Sequence, residues 1–193
     1  MIFSGLWRGK TLFGAALCAT LLGAGASRAA DITYAVDQTI GLGSVIGSIT
    51  TDGKTGILGT GDIVGWNLQL NGNGASSHLM TSDSHVAVAG TDLTATPTNL
   101  DFNFSDSDNG YLLFQAVLFS GQDYYCNAAS SSTCFQGKSV VPQAFSDPSA
   151  QNVPAAGNQV IGTVVPEPAA WATMLLGLAA IGGALRARKL RIA

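Results

Sequence analysis

Through the middle of the chain, apolar residues recur at every second position rather than every third or fourth. In residues 63–70 (IVGWNLQL), Val64, Trp66, Leu68 and Leu70 fall on one face, and Asn67 and Gln69 on the other. That is the period of a half-buried strand. Leu100, Phe102 and Phe104 alternate with Asp101 and Asn103 in the same way, and Val86 and Val88 mark another short strand. Residues 111–119 are a near-continuous apolar run and read as a central strand. Residues 32–40, 44–51 and 159–165 complete seven to nine predicted strands.

Turn signals separate these runs. Asp52-Gly53 predicts a hairpin, Asn71-Gly72-Asn73-Gly74 another, and residues 106–110 a polar turn. Residues 121–154 lose the alternation, gain Ser, Ala, Gln and Pro, and read as an irregular loop. Short strands joined by Gly/Asn/Asp turns, with no helical period between them, predict an all-β antiparallel sandwich of jelly-roll type over residues 30–164.

The two ends follow different physics. Arg8 and Lys10 precede an apolar, glycine-rich stretch over residues 12–26, and Ser27-Arg28-Ala29 offers small residues where a signal peptidase reads them. Residues 1–29 are therefore expected to form a signal helix cut after Ala29. At the other end, Pro166-Glu167-Pro168 is followed by an uncharged run over residues 169–185 and then by Arg186, Arg188, Lys189 and Arg191. At 1.5 Å per residue such a run spans about 26 Å, close to a hydrocarbon core of ~30 Å. A single transmembrane helix is expected there, its basic cluster acting as the cytoplasmic stop.

Val165-Pro166-Glu167-Pro168, followed by Trp171, Leu176-Gly177-Leu178 and Gly182-Gly183, resembles the PEP-CTERM sorting segment. The resemblance covers residues 165–191, within an expected sorting segment over residues 165–193. It implies recognition at Pro166, Glu167 and Pro168 by exosortase, a membrane-embedded Cys peptidase-transpeptidase of exopolysaccharide-producing Gram-negative bacteria. It also implies export through the inner membrane and release or surface attachment after processing. A tail that stays in place as a permanent anchor is the alternative.

Charge sharpens this division. Only 11% of the 193 residues are charged, and seven of the nine Lys and Arg lie at the two ends. Between Asp31 and Val165 stand Lys54 and Lys138 against eleven Asp, a net −9. A domain so anionic repels phosphate backbones, which excludes nucleic acid as a partner.

Candidate chemistry in the middle is sparse. Cys126 and Cys134 are the pair left after signal removal and are expected to form a disulfide. His78 and His85 stand seven apart in a Ser/Thr/Asp-rich stretch that reads as a loop, matching no metal or triad pattern. Asp101, Asp106 and Asp108 supply hard oxygens, but their spacing misses an EF-hand loop. An Asx-rich turn is the reading there, with calcium as the alternative and no other cofactor expected. No Gly-x-Ser-x-Gly elbow occurs.

The leading expectation is a non-enzymatic surface or matrix protein, with exopolysaccharide as a surrounding partner. One alternative is a carbohydrate-binding module using the Tyr124-Tyr125 pair beside the disulfide loop, with Tyr111 and Trp66 weighed as further stacking candidates. An ice-binding module using Thr94, Thr96 and Thr98 is another. A secreted hydrolase with His78 or His85 set against an Asp is a third.

Overall fold

The computed structural model describes residues 29–105, 108–130, 133–144, 148–166, 174–176, 178 and 179. The expected signal helix therefore lies outside the described residues, as does most of the expected transmembrane run. Among the described residues no helix is long and apolar enough to cross a membrane.

Among the described residues thirteen strands form two antiparallel sheets. The larger has eight strands: β1 (Ile32–Ile40), β2 (Gly43–Thr51), β3 (Gly56–Ile57), β4 (Ile63–Asn71), β5 (Ser76–Met80), β7 (Leu93–Ala95), β8 (Asn99–Asn103) and β13 (Asn158–Val164). Its spatial order is β3-β7-β8-β13-β1-β2-β4-β5. The smaller has five: β6 (His85–Ala89), β9 (Tyr111–Gln115), β10 (Gln122–Ala128), β11 (Gly137–Ala144) and β12 (Gln151–Val153), in the order β12-β11-β10-β9-β6.

The sheets pack face to face over one apolar core. Tyr34, Val36, Ile49, Leu68 and Phe102 enter it from the larger sheet, and Leu112, Phe114, Tyr125 and Val140 from the smaller. Phe114 is the centre of the contact: its ring lies 5.5 Å from Trp66 across the layers and stacks 6.2 Å from Tyr125 beside it. Lys138 ties β11 to β1 by donating to Gln38 Oε1 at 2.7 Å, with its ammonium 5.7 Å from the Phe104 ring.

Strand boundaries predicted for residues 32–40, 44–51, 63–70 and 159–165 agree with β1, β2, β4 and β13 to within one residue. Four expectations are corrected. First, residues 121–154 are not an irregular loop, because β10, β11 and β12 lie within them. Tyr124 to Ala128 are buried on both faces of the sheet, so the alternation that signals a strand is missing there. Second, His78 and His85 sit on β5 and β6 rather than in a loop.

Third, Val64 is exposed and Ile63 is buried in its place. The β2–β4 register runs Thr50↔Gly65 and then Thr51↔Ile63, so a bulge at Val64 inverts the facing of the strand's first residues. Fourth, Asp52-Gly53 does not close a tight hairpin. Residues 52–62 make an excursion in which β3 leaves to pair with β7 before the chain returns as β4.

Gly47 permits the closest backbone approach in the larger sheet. Its φ is +151°, and a Cβ placed there would stand 1.9 Å from the Asn67 carbonyl oxygen of β4. No side chain fits that space. Gly47→Ala is expected to cost ~3 kcal/mol or more by forcing β2 and β4 apart, read as a lowered denaturation midpoint.

Cys126 and Cys134 form the expected disulfide, their Cα atoms 6.5 Å apart. It belongs to a second, smaller apolar cluster on the outer face of the five-stranded sheet, with Leu113, Tyr124, Ala128 and Val141. Cys134→Ser is expected to cost ~2–3 kcal/mol in the chain-entropy account of a loop this short. Thermal melts with and without reductant check it, since reductant should lower the parent to the variant's value.

Candidate functional site

The last strand ends where the sequence supplies a residue that cannot continue it. β13 runs between β8 and β1, pairing Tyr34 with Val164 and Ala35 with Thr163. Val164 donates its N–H to the Thr98 carbonyl at 2.8 Å, and Val165 donates to the Thr33 carbonyl at 2.9 Å. Pro166 has no N–H to give, so the ladder stops there, and Pro166 is exposed.

The start of the domain lies at the same place. A recess of about 340 Å³ is lined by Ala30, Asp31, Ile32 and Thr33 from one end, Val164, Val165 and Pro166 from the other, and Pro97 between them. Ala29 and Ala30 pass over Gly53, whose missing side chain makes room for the Ala30 carbonyl. The predicted signal-cleavage residue Ala29 and the predicted sorting residue Pro166 therefore flank one end of the sandwich. Glu167, Pro168, Arg186, Arg188, Lys189 and Arg191 lie outside the described residues. Met174 to Leu176, Leu178 and Ala179 are helical and exposed.

The family model for the PEP-CTERM protein-sorting motif matches residues 164–189. This chain carries a PEP-CTERM sorting motif. No curated protein and no solved structure shows significant similarity to the chain. The PEP-CTERM match starts on the last residue of β13, so folded domain and sorting signal meet without a linker. The motif implies export across the membrane and recognition by an exosortase-type membrane protease.

The remaining candidates are placed as follows. Of the proposed calcium ligands, Asp106 lies outside the described residues. Asp108 accepts from the Thr91 N–H and hydroxyl through Oδ2 (3.0 and 3.1 Å) and from the Gly110 N–H through Oδ1. The Thr91 backbone bond leads the effects that hold its carboxyl below the usual range. The carboxylate the structure brings beside it is Asp92, which sequence reasoning passed over, and it is among the groups that lower the Asp108 carboxyl, behind the Thr91 backbone bond. Their meeting depends on Gly110, where a Cβ would strike Asp92 Oδ2. Asp101 stands apart in mid-β8, opposite Thr94 and Val160. Among the described residues no three His, Cys, Asp or Glu side chains form a metal-sized group.

His78 Nε2 pairs with Asn67 Oδ1 across β4 and β5, and His85 stands opposite Gln115 on the smaller sheet. Thr94 is on β7, whereas the Thr96 hydroxyl accepts from Asn99 N–H at 2.8 Å within the β7–β8 turn. The three threonines therefore do not form one flat row.

The Tyr124-Tyr125 pair is split by the sheet. Tyr125 is fully buried in the main core and Tyr124 points to the outer face, so the two rings cannot form one platform. Burial pushes both hydroxyls up to about 12. Beside Tyr124 is a pocket of about 220 Å³ lined also by Leu113, Gln115, Phe119, Gly121 and Thr133. Nothing in the sequence pattern marks Phe119 out, because it ends the apolar run of residues 111–119, which predicts a strand. The strand in fact stops at Gln115.

Asp101 gives a pH test. Its side chain is almost covered, and desolvation raises its carboxyl above the usual value of 3.8. A raised acid favours the folded state while protonated, and that contribution is lost as pH climbs through the folded value. Asp101→Asn is therefore expected to raise the melting temperature at pH 7, with the gain shrinking to nothing below about pH 4. Paired melts at the two pH values check the sign.

Proposed function

We propose that this chain is a non-enzymatic surface or extracellular-matrix protein. Its acidic sandwich domain is carried out through the inner membrane behind a signal peptide cut after Ala29. It is then handled at Pro166-Glu167-Pro168 by an exosortase-type peptidase. Residues 169–185 hold the chain in the membrane during that step, and the basic cluster stops transfer on the cytoplasmic side. An exopolysaccharide matrix is the surrounding this route leads to.

The observation that carries the reading is the abutment of the sorting motif on β13. Val164 and Val165 are held by sheet hydrogen bonds and Pro166 is exposed immediately after them. A protease acting on the folded domain needs a backbone free of the ladder, and Val165–Pro166 is the first such bond. Net charge of −9 between Asp31 and Val165 suits a soluble, hydrated cargo once the apolar tail is gone.

Replacing Pro166, Glu167 and Pro168 together with alanine is expected to leave the tail uncut and the chain in the membrane fraction. The parent protein is expected to yield a product that begins at Ala30 and ends at Val165 or just beyond. Intact-mass measurement of membrane and culture fractions reads both. A triple-alanine chain with the parent's mass and location would overturn the proposal.

A further inference from the structure

On the outer face of the smaller sheet, away from the sorting junction's residues, a short turn has an unusual construction. After β9 the chain turns through residues 116–121 before β10. Phe119 adopts φ +63°, the left-handed region, and Asp123 follows at +43°. A bulky non-glycine residue is held there only if its surroundings force it.

The forcing group is Gln115. It is 1% exposed, and its side chain is fully engaged: Oε1 accepts the Phe119 N–H at 2.7 Å, and Nε2 donates to Ser120 Oγ at 3.1 Å and to the Gln122 carbonyl at 2.8 Å. A buried amide thus fixes the turn at three points. What this construction presents is an aromatic ring, 64% exposed, at the mouth of the pocket of about 220 Å³.

The pocket floor adds a hydrogen-bonding group. Tyr124 is packed in place among Leu113 and Val141, and its hydroxyl makes no hydrogen bond within the described residues. With its pKa pushed up to about 12, it remains a protonated donor at any physiological pH. Thr133 closes another side, carried by the segment that the Cys126–Cys134 disulfide clamps to the sheet. Among the described residues none that lines the pocket is charged. The volume equals that of roughly seven liquid waters at about 30 Å³ each, the scale of one sugar ring.

We propose that this pocket binds a ring of a neutral saccharide. The Phe119 ring stacks on the sugar's C–H face, and Tyr124 hydroxyl reads one of its hydroxyl groups. An exposed aromatic face beside fixed polar groups is what such a ligand requires: a weakly polar face to cover and hydroxyls to satisfy. An uncharged lining within a strongly anionic domain favours neutral sugars over uronic or sulfated ones. The proposal stands independently of how the C-terminal tail is processed.

The test is affinity gel electrophoresis of the protein as isolated from its cells, through gels containing a soluble glucan, galactan or mannan, with alginate as the anionic control. Retardation by at least one neutral polymer, and not by alginate, is expected. Phe119→Ala should weaken it about tenfold. Tyr124→Phe, which keeps the packing and removes only the hydroxyl, should weaken it about fivefold.

Phe119→Gly separates binding from folding. Glycine relieves the left-handed backbone, so this variant should melt at or above the parent temperature while losing retardation as Phe119→Ala does. Absence of retardation by all three neutral polymers overturns the proposal. So does retardation by alginate alone, or undiminished binding by either Phe119 variant.

Discussion

The pairing of β1 with β13 is the constraint on which this molecule depends. These are the first and last strands of the domain, and they lie side by side inside the eight-stranded sheet rather than at its edges. Without β13, the set β3-β7-β8 would lose its attachment to β1-β2-β4-β5. Ile161, fully buried, would leave the core with it. The sheet therefore cannot close until the residues just before the sorting motif are in place. Such long-range pairing must meet a large loop-closure cost before it is rewarded, which makes folding a late event in the life of the chain.

The same pairing brings the ends together. Because β1 and β13 are antiparallel, the start of one and the finish of the other share one end of the sandwich, around the recess that holds Ala30 and Pro166. A chain carried by a signal at one end and a sorting segment at the other would be held at a single end of its folded domain. The opposite end, with the Gly41-Leu42 turn between β1 and β2, faces away. Proline at position 166 finishes the ladder chemically as well as in sequence, since it offers no N–H to the neighbouring strand.

The smaller sheet differs in kind. Its inner face contributes Phe114, Tyr125 and Val140 to the common core, while its outer face carries a second apolar cluster of its own. Strands apolar on both sides lose the period-two signature, which explains why β10 and β11 could not be distinguished from irregular chain. Polar residues inside them, such as Asn127 and Ser139, deepen the disguise, although both are completely buried. His78 reads as a loop residue for a related reason, since its strand β5 opens on Ser76 and Ser77 and alternates little in polarity, whereas His85 is the first residue of β6, the strand that Val86 and Val88 mark in the sequence.

Taken alone, the sequence determined the all-β class, four strands nearly to the residue, the Cys126–Cys134 bridge and the sorting motif. Each of these is written in local order: a period of two, a pair of cysteines in a short loop, a proline-bounded segment with its own composition. Only the tertiary structure decided what depends on neighbours distant in the chain. It put Asp92 rather than Asp101 beside Asp108, turned Tyr125 inward and Tyr124 outward, and used a bulge to exchange Val64 for Ile63. It also stopped β9 at Gln115 so that a buried amide could hold Phe119 outward. Facing and proximity arise from register and closure across the two sheets, which the alternation of polar and apolar positions along one strand does not record.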